Sequence, residues 1–525
     1  MYKPMSIVLI SSLPYLVSLD GDFVFDDSEA IVKNKDVISE SWFDPFYNDF
    51  WGMNIKSNLS HKSYRPLTIL TFRWTVMGGT KPVFKAIDNP AAFAENFFTR
   101  IRTYNYIYFL NGVLFLWPQW LCYDWSMGCI PLVENVLDNR NSCILMLYIY
   151  VLLIICNIIF RNSGPKKRLI MLAVCLIIVP FSPASNIFYS VGFVIAERIL
   201  YIPSAGYCLL VGIGFNTLLN YRSQLICKVA KFMFLLLLLI YETRSWQRSL
   251  DWQNEYSLFI SGLSVCPLNA KVHYNVAKVA DASHHTEWAL AEYKEAIRLF
   301  PEYYQAMNNL ANLLKNEKKY QEAEFYLTAA IKHKPDFPAA WMNLGIVLAN
   351  TKRYNESEIA YKTALTYRKK YPDCLYNLGN LYLEMNNTFL AMEKWFDAIN
   401  LNSKHDLAWT NLMALLDNTG QINKALKIIP KALAELPESP SVNFAIANIY
   451  GKINEYEEAE KYFKKSIKLF NSKVQAIHYA NLGVLYHRWK KYSLAEEMYL
   501  NALKIDPFFK SAQRNLHSLR KFKNK

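Results

Sequence analysis

The sequence predicts an all-α protein in two parts, a polytopic membrane domain followed by a solenoid of helical repeats. Three observations carry this. Apolar runs of near-spanning length crowd the first half and stop after Tyr241. A 34-residue period governs the second half. Of the 525 residues 52% are hydrophobic and only 19% are charged, below the roughly 25% of soluble domains. This balance excludes a disordered chain, a collagen-like chain and a small disulfide scaffold. The formal net charge of +14 comes from Lys and Arg dispersed along repeat helices and loop ends, so it does not mark a nucleic-acid binder. The cysteines are scattered without a CxxC pair, which argues against structural zinc. Cys143, Cys156, Cys175, Cys208 and Cys227 lie in or beside apolar runs and read as small hydrophobes.

The membrane part is predicted over residues 1–241. Met5–Leu19 is apolar and ends against Asp20-Gly21-Asp22. It lacks a small-residue cleavage site, so a signal anchor is favoured over a cleaved signal peptide. Further runs are Tyr104–Leu121, Ser142–Phe160, Leu169–Phe181, Ile199–Leu219 and Val229–Tyr241. Arg161, Lys166, Lys167 and Arg168 separate two of these runs, and Arg222, Lys228 and Lys231 flank the next junction. Basic loops stay in the cytosol, so residues 20–66, the segment Ser185–Arg198 and everything after Glu242 are expected on the luminal side. The sequons at Asn58, Asn355 and Asn386 fall in these parts and are glycosylation candidates. The order of sides leaves a parity conflict. Either Tyr104–Leu121 is re-entrant, or membrane segments are missing between Asp27 and Tyr104.

A connector over 242–266 leads to the solenoid, expected over 267–520. Asn275, Asn309, Asn343, Asn377 and Asn411 recur at a spacing of 34, followed by Ala445 and, after a two-residue insertion, Asn481. Small residues come two positions after most of them, and a second set includes Ala289, Ala323, Ser357, Ala391, Ala425, Ala459 and Ala495. Pro301, Pro335, Pro437 and Pro507 close four units. This is the tetratricopeptide pattern in about seven repeats. Each unit is a helix–turn–helix whose small residues let the helices approach, and stacked units form a concave groove suited to a protein or peptide. His284-His285, the one histidine pair, falls in the turn of the first repeat and reads as a solvated turn before a metal site.

Candidate chemistry lies in the membrane part. Asp26 and Asp27 follow the first apolar run closely, which places them at the luminal membrane surface. A carboxylate there can act as general base toward an acceptor hydroxyl, and repulsion within the pair raises one pKa; loops carry Asp–Asp pairs often, so by themselves the residues read first as a cap or turn. Glu197-Arg198 sits at the edge of a span, where ionisable groups are expensive and functional by default. Arg198 could contact a lipid phosphate through its fork of donors, or the two could be a structural pair. Cys122 and Cys129 flank a tight aromatic loop and could form a disulfide, although nothing demands it.

Several stretches are more specific. Gly21–Asp36 (GDFVFDDSEAIVKNKD), Ser60–Arg73 (SHKSYRPLTILTFR), Asp88–Ala94 (DNPAAFA), Trp120–Pro131 (WLCYDWSMGCIP), Pro183–Gly206 (PASNIFYSVGFVIAERILYIPSAG) and Leu263–Tyr274 (LSVCPLNAKVHY) resemble the transmembrane and tetratricopeptide repeat-containing family of protein O-mannosyltransferases that target cadherins. The resemblance covers nearly the whole chain. It implies a multi-pass endoplasmic reticulum membrane protein with the fold of type C glycosyltransferases and its repeats in the lumen. It implies transfer of mannose from dolichyl phosphate mannose to Ser or Thr of cadherin-type acceptors, with inversion at the sugar. The family's proposed catalytic pair corresponds to Asp26-Asp27. Lys62, Arg65 and Arg198 are our own candidates for the donor phosphate, with Glu197 in support. No cofactor is implied beyond the lipid-linked donor, no metal ligand is assigned, and a divalent-metal requirement stays open. The chain departs from the family where Arg73 meets Trp74. There the family carries several hydrophobic segments and a luminal loop rich in His and Glu. The alternative function is therefore a non-catalytic, membrane-anchored luminal adaptor that binds proteins through its repeats. A transporter fits poorly, because the spans show no internal repeat.

Overall fold

The computed structural model describes residues 86–160, 164–188 and 190–523. Among these the chain is helical, without strands, and divides into two compact units, one ending at Ala306 and the other running from Met307. Two alternations explain the helices: long apolar runs in the first unit and a 34-residue mixture of small and large apolar positions in the second.

In the first unit α1 spans Phe97–Leu116, α2 Arg140–Phe160, α3 Pro165–Phe181, α4 Tyr201–Leu219, α5 Gln224–Asp251, α6 Glu255–Val265, α7 Ala270–Ala282 and α8 Thr286–Leu299. Among the described residues four helical segments are long and apolar enough to cross a membrane: Arg140–Phe160, Pro165–Ala184, Glu197–Leu219 and Gln224–Asp251. They contain the last four apolar runs of the sequence. The run Tyr104–Leu121 differs. Its helix, α1, stops at Leu116, carries Arg100 and Arg102, and buries Thr99, Thr103 and Asn111. It is not among the helices apolar enough to span. Asn96 caps it by accepting from Phe98 N and Thr99 N. α3 and α4 pack closely because position 206 is glycine: a Cβ there would lie 2.4 Å from Ala173 O. α5 runs through the boundary between membrane run and connector as one uninterrupted helix.

Around the ends of these helices, α1, α6, α7 and the loops between them form a polar-edged cap with its own core. Ile107, Leu114, Trp125, Ile130, Val194, Leu258, Phe259, Val272 and Val276 meet there. The first repeat, α7 and α8, belongs to this unit.

The second unit continues the repeats: α9 Tyr304–Asn316, α10 Tyr320–His333, α11 Pro338–Asn350, α12 Tyr354–Tyr367, α13 Pro372–Glu384, α14 Thr388–Leu401, α15 Asp406–Asn418, α16 Ile422–Glu435, α17 Pro440–Lys452, α18 Tyr456–Phe470, α19 Ala476–Arg488 and α20 Tyr492–Ile505, closed by α21 Lys510–Lys523. Each helical pair turns through a residue in the left-handed region, at His284, Lys318, Lys352, Asn386, Gly420, Asn454 and Lys490. The next N–H returns to a carbonyl five residues back, as Lys319 N does to Leu314 O at 2.9 Å and Arg353 N to Leu348 O at 2.9 Å. That is the closure expected at a helix C-terminus with a left-handed residue. The small positions of the period face large ones on the partner helix: Gly345 meets Tyr361, Gly379 meets Trp395 and Gly483 meets Tyr499. A Cβ on Gly379 would come within 2.5 Å of Trp395 Nε1, and Trp395 is fully buried. Gly379→Ala is therefore expected to cost about 1–3 kcal/mol through overpacking. The check is a lower unfolding temperature of the full chain; unchanged stability would show that the Trp395 indole can yield.

Candidate functional site

The motif stretches that lie far apart in the sequence come together in the cap. The loop after α1 carries the whole of Trp120–Pro131, and distant segments hold it. Arg244 of α5 donates to Pro118 O at 3.3 Å and to Gln119 O at 3.0 Å. Cys122 N donates to Glu197 Oε1 at 2.8 Å. Asp124 takes Lys271 Nζ at 2.6 Å on its carboxylate and Asn269 Nδ2 at 3.0 Å on its carbonyl. Burial pushes the Asp124 carboxyl up, but Lys271 and the Ser126 donors outweigh it and hold its pKa below the usual range. Met127 N donates to Ile87 O at 3.1 Å, in the turn that leads into Asp88–Ala94. In that stretch Asn89 donates to Asn186 Oδ1 at 3.0 Å and Val191 O at 2.9 Å, which ties in the loop before Glu197.

One covalent bond fastens the loop to the start of the first repeat: Cys129 pairs with Cys266 across 137 residues. This corrects the Cys122–Cys129 pairing that the sequence allowed. Cys122 is free and buried, and burial pushes its thiol up to about 12, so it is neutral and unreactive at ordinary pH. Cys143, Cys156, Cys175, Cys208 and Cys227 are free, as apolar placement implied.

Of the candidate residues, Asp26, Asp27, Lys62, Arg65 and Asn58 lie outside the described residues. Glu197 and Arg198 are placed, in a short 3-10 turn that opens α4. They do not pair with each other. Glu197 faces inward to Cys122 N, whereas Arg198 is exposed and its side chain makes no hydrogen bond or ion pair among the described residues. Asn386 is exposed in a turn. Asn355 is exposed in the first turn of α12, but the hydroxyl of its sequon residue Ser357 is buried and donates to Gly345 O at 2.7 Å. His284 and His285 are exposed at the turn between α7 and α8. Among the described residues no three His, Cys, Asp or Glu side chains gather in a way that could hold a metal ion.

Sequence reasoning missed three groups. Arg244 and Arg248 stand one helical turn apart just beyond Tyr241, a spacing that was visible. Cys266 lies in the quoted stretch Leu263–Tyr274 but its partner was not readable. His273 is the third: its Nδ1 lies 2.6 Å from Glu292 Oε2 and its Nε2 2.9 Å from Pro267 O. Both partners are acceptors, so the imidazolium form suits the site. Burial lowers the His273 pKa, yet the Glu292 carboxylate and Pro267 carbonyl outweigh it and the net shift is upward.

The comparisons with known proteins cover two of these stretches, Asp88–Ala94 and Trp120–Pro131, and the repeats. Residues 78–152 match the family described as "Protein O-mannosyl-transferase TMTC, DUF1736". Residues 292–325, 313–373 and 438–507 match tetratricopeptide repeat families. The Caenorhabditis elegans protein named Protein O-mannosyl-transferase F38B6.6 is 31% identical over 661 aligned positions, which cover 98% of this chain and 94% of that protein. The chain belongs to the TMTC family of protein O-mannosyl-transferases. As those 661 positions exceed the 525 residues here, the worm protein carries more than a hundred residues without a counterpart in this TMTC chain. Human Protein O-mannosyl-transferase TMTC4 is 45% identical over 219 residues, 42% of this chain and 29% of that protein. The match thus spans less than a third of the length of the first curated relatives. Among solved structures, a tetratricopeptide repeat protein from Parabacteroides merdae shares 17% identity at a TM-score of 0.38, covering 48% of this chain and 98% of that one.

Two outcomes follow from the cap. Cys266→Ser is expected to free Cys129 for alkylation and to cost about 2–5 kcal/mol, whereas Cys122→Ser leaves the bond intact; mass spectrometry of non-reduced, alkylated protein reads both. The raised His273 pKa adds stability that is complete below the ordinary imidazole pKa and is lost as pH rises through the shifted value. Wild-type stability should therefore fall with rising pH across that window, and His273→Gln should flatten the profile. Parallel pH profiles for the two proteins would remove His273 from the account.

Proposed function

We propose that this chain is a membrane-bound protein O-mannosyltransferase of the endoplasmic reticulum, its repeats in the lumen. It takes mannose from dolichyl phosphate mannose and passes it to Ser or Thr of cadherin-type acceptors. The observation that carries the reading is the relationship to a named transferase along nearly the full length of both chains. The gathering of the motif stretches into one cap beside the membrane helices supports it.

In this reading Asp26 or Asp27 accepts the proton of the acceptor hydroxyl as its oxygen attacks the anomeric carbon. The bond from that carbon to the phosphate oxygen breaks on the opposite face, and its electron pair leaves with the phosphate. Phosphate is a good leaving group, so one base suffices and the sugar inverts. Lys62, Arg65 and the exposed Arg198 are candidates to meet the charge that grows on the phosphate, and Glu197 fixes the turn from which Arg198 projects. The solenoid groove selects the acceptor.

A second reading, a non-catalytic adaptor, is favoured by one observation, the block of residues present in the worm relative and absent here. We place that gap at the junction of Arg73 and Trp74. Sequencing the full-length transcript across these codons separates the readings. If hydrophobic segments appear there, Asp26→Asn or Asp27→Asn in the restored protein should lower mannosyl transfer at least about a hundredfold without changing acceptor binding. A junction confirmed as it stands, with no transfer by the wild-type chain, moves the function to the adaptor.

A further inference from the structure

We propose that the end of α5 beside the cap is a binding site for the phosphate of a phosphate ester, with Arg248 as the group that grips it. Arg244, Ser245, Arg248 and Ser249 share one face of the last turns of α5, and with Pro118 and Trp252 they line a cavity of about 350 Å³.

The guanidinium of Arg248 carries the argument. Its side chain is 12% exposed. Only one of its nitrogens is engaged: Nη1 reaches Asp251 Oδ2 at 3.3 Å and Ser261 Oγ at 3.2 Å. Nε and Nη2 are buried and have no acceptor among the described residues. These two nitrogens form one edge of the planar fork, the edge that takes two oxygens of a phosphate or carboxylate side by side. A buried, charged donor left unmade is costly, so such a group calls for a ligand. Trp252 lies 5.5 Å from the guanidinium carbon and fixes its plane by a cation–π contact. Arg244 is different. Its donors are spent on Pro118 O, Gln119 O and Gln247 Oε1, so it builds the cavity wall and adds charge. The hydroxyls of Ser245 and Ser249 stand ready as neutral donors.

Depth identifies the class of ester. The apolar run of α5 ends at Tyr241. At about 1.5 Å per residue, Arg244 lies about 5 Å and Arg248 about 10 Å beyond it. The polar layer on each side of a bilayer is roughly 5–8 Å thick, so Arg244 lies within it and the backbone of Arg248 just outside it, with a long side chain that can reach back to a lipid phosphate. The exposed indoles of Trp117, Trp120 and Trp246 mark the same boundary. A polyisoprenyl phosphate presents its phosphate at this level; free phosphate shares the chemistry but not the depth. The carboxylate of Asp251 pairs with the same guanidinium at 3.3 Å and balances its charge until an anion arrives. Naming the ester a lipid-linked sugar donor rests on the transferase reading; the phosphate site itself does not.

The test uses the full chain in detergent with three probes: a short-chain polyisoprenyl phosphate, the corresponding alcohol, and inorganic phosphate. The ester is expected to bind and the alcohol not. Arg248→Gln should weaken ester binding at least tenfold, and so should Ser245→Asp, which sets a negative charge in the cavity without touching the guanidinium. Protection of the Cys129–Cys266 bond from reduction reports whether each variant keeps its cap; if Arg248→Gln does not, Ser245→Asp decides. Binding of inorganic phosphate alone, lost in the variants, keeps the phosphate site and overturns the lipid assignment. Absence of binding by either phosphate, or equal affinity in wild type and Ser245→Asp, overturns the site. An Asp27→Asn protein that transfers no mannose but binds the ester leaves this site in place. Undiminished transfer by both variants leaves the transferase reading in place and removes this one.

Discussion

An irregular loop can be buried only if its backbone polar groups find partners, and the cap is organised around that requirement for residues 117–133. No helix or strand satisfies this loop. Arg244 takes its first carbonyls, Glu197 takes Cys122 N, and Asn269 takes Asp124 O. Thr103 Oγ1 accepts from Val133 N at 2.9 Å, and Arg140 donates to Leu132 O at 2.9 Å. The donors and acceptors come from α1, α2, α5, the turn before α4 and the start of α7. Each helix is thereby fixed against the same short segment, and the Cys129–Cys266 bond keeps the segment from leaving. The ionisable groups that looked functional at the edges of spans divide accordingly: those facing the loop hold its backbone, and those left over are available for ligands.

That division explains how much could be read from the sequence. The repeats were legible because each unit carries its own instructions within 34 residues: small residues where the helices touch, apolar positions in fixed register and, in four units, a proline beyond the second helix. Gly379 against Trp395 is such a local rule. Proximity in sequence did the rest, since neighbouring repeats pack on each other. The cap was less legible because several of the contacts that close it join residues 75 to 147 positions apart, as in Cys122 with Glu197 and Asp124 with Lys271. Nothing in local pattern tells Glu197 to bond a backbone N–H rather than its neighbour Arg198. The same distance hid the Cys129–Cys266 pair behind the nearer and wrong partner Cys122.

Arginine chemistry connects these observations. Arg140 spends its fork on the carbonyls of Pro131 and Leu132 and on the Asp138 carboxylate, and Arg244 spends its own on loop carbonyls and Gln247, uses that suit a donor whose charge never switches off. Arg198 is free but exposed, where a cation binds weakly because water competes. Arg248 combines a desolvated position with two free donors, and a phosphate gains most from such a partner because a low dielectric strengthens the contact. Sequence reasoning offered Arg198, with Lys62 and Arg65, because an ionisable group at the edge of a span is costly and its fork suits a phosphate. Burial and partner accounting favour Arg248.

The two functional readings share more than they dispute. The cap core, the disulfide and the repeats all lie among the described residues, so an adaptor and a transferase would share the same repeats. They differ in the membrane part. α2 is apolar along its length and buries none of its residues, and a helix of that kind is stable only where lipid or further apolar helices surround it. The worm relative holds more than a hundred residues that have no counterpart here. If these supply helices, they would pack on surfaces such as that of α2 without displacing any partner the cap already uses. A site at the end of α5 would then exist in both forms of the protein, whereas transfer, which also needs a complete enclosure for the donor, would belong to only one.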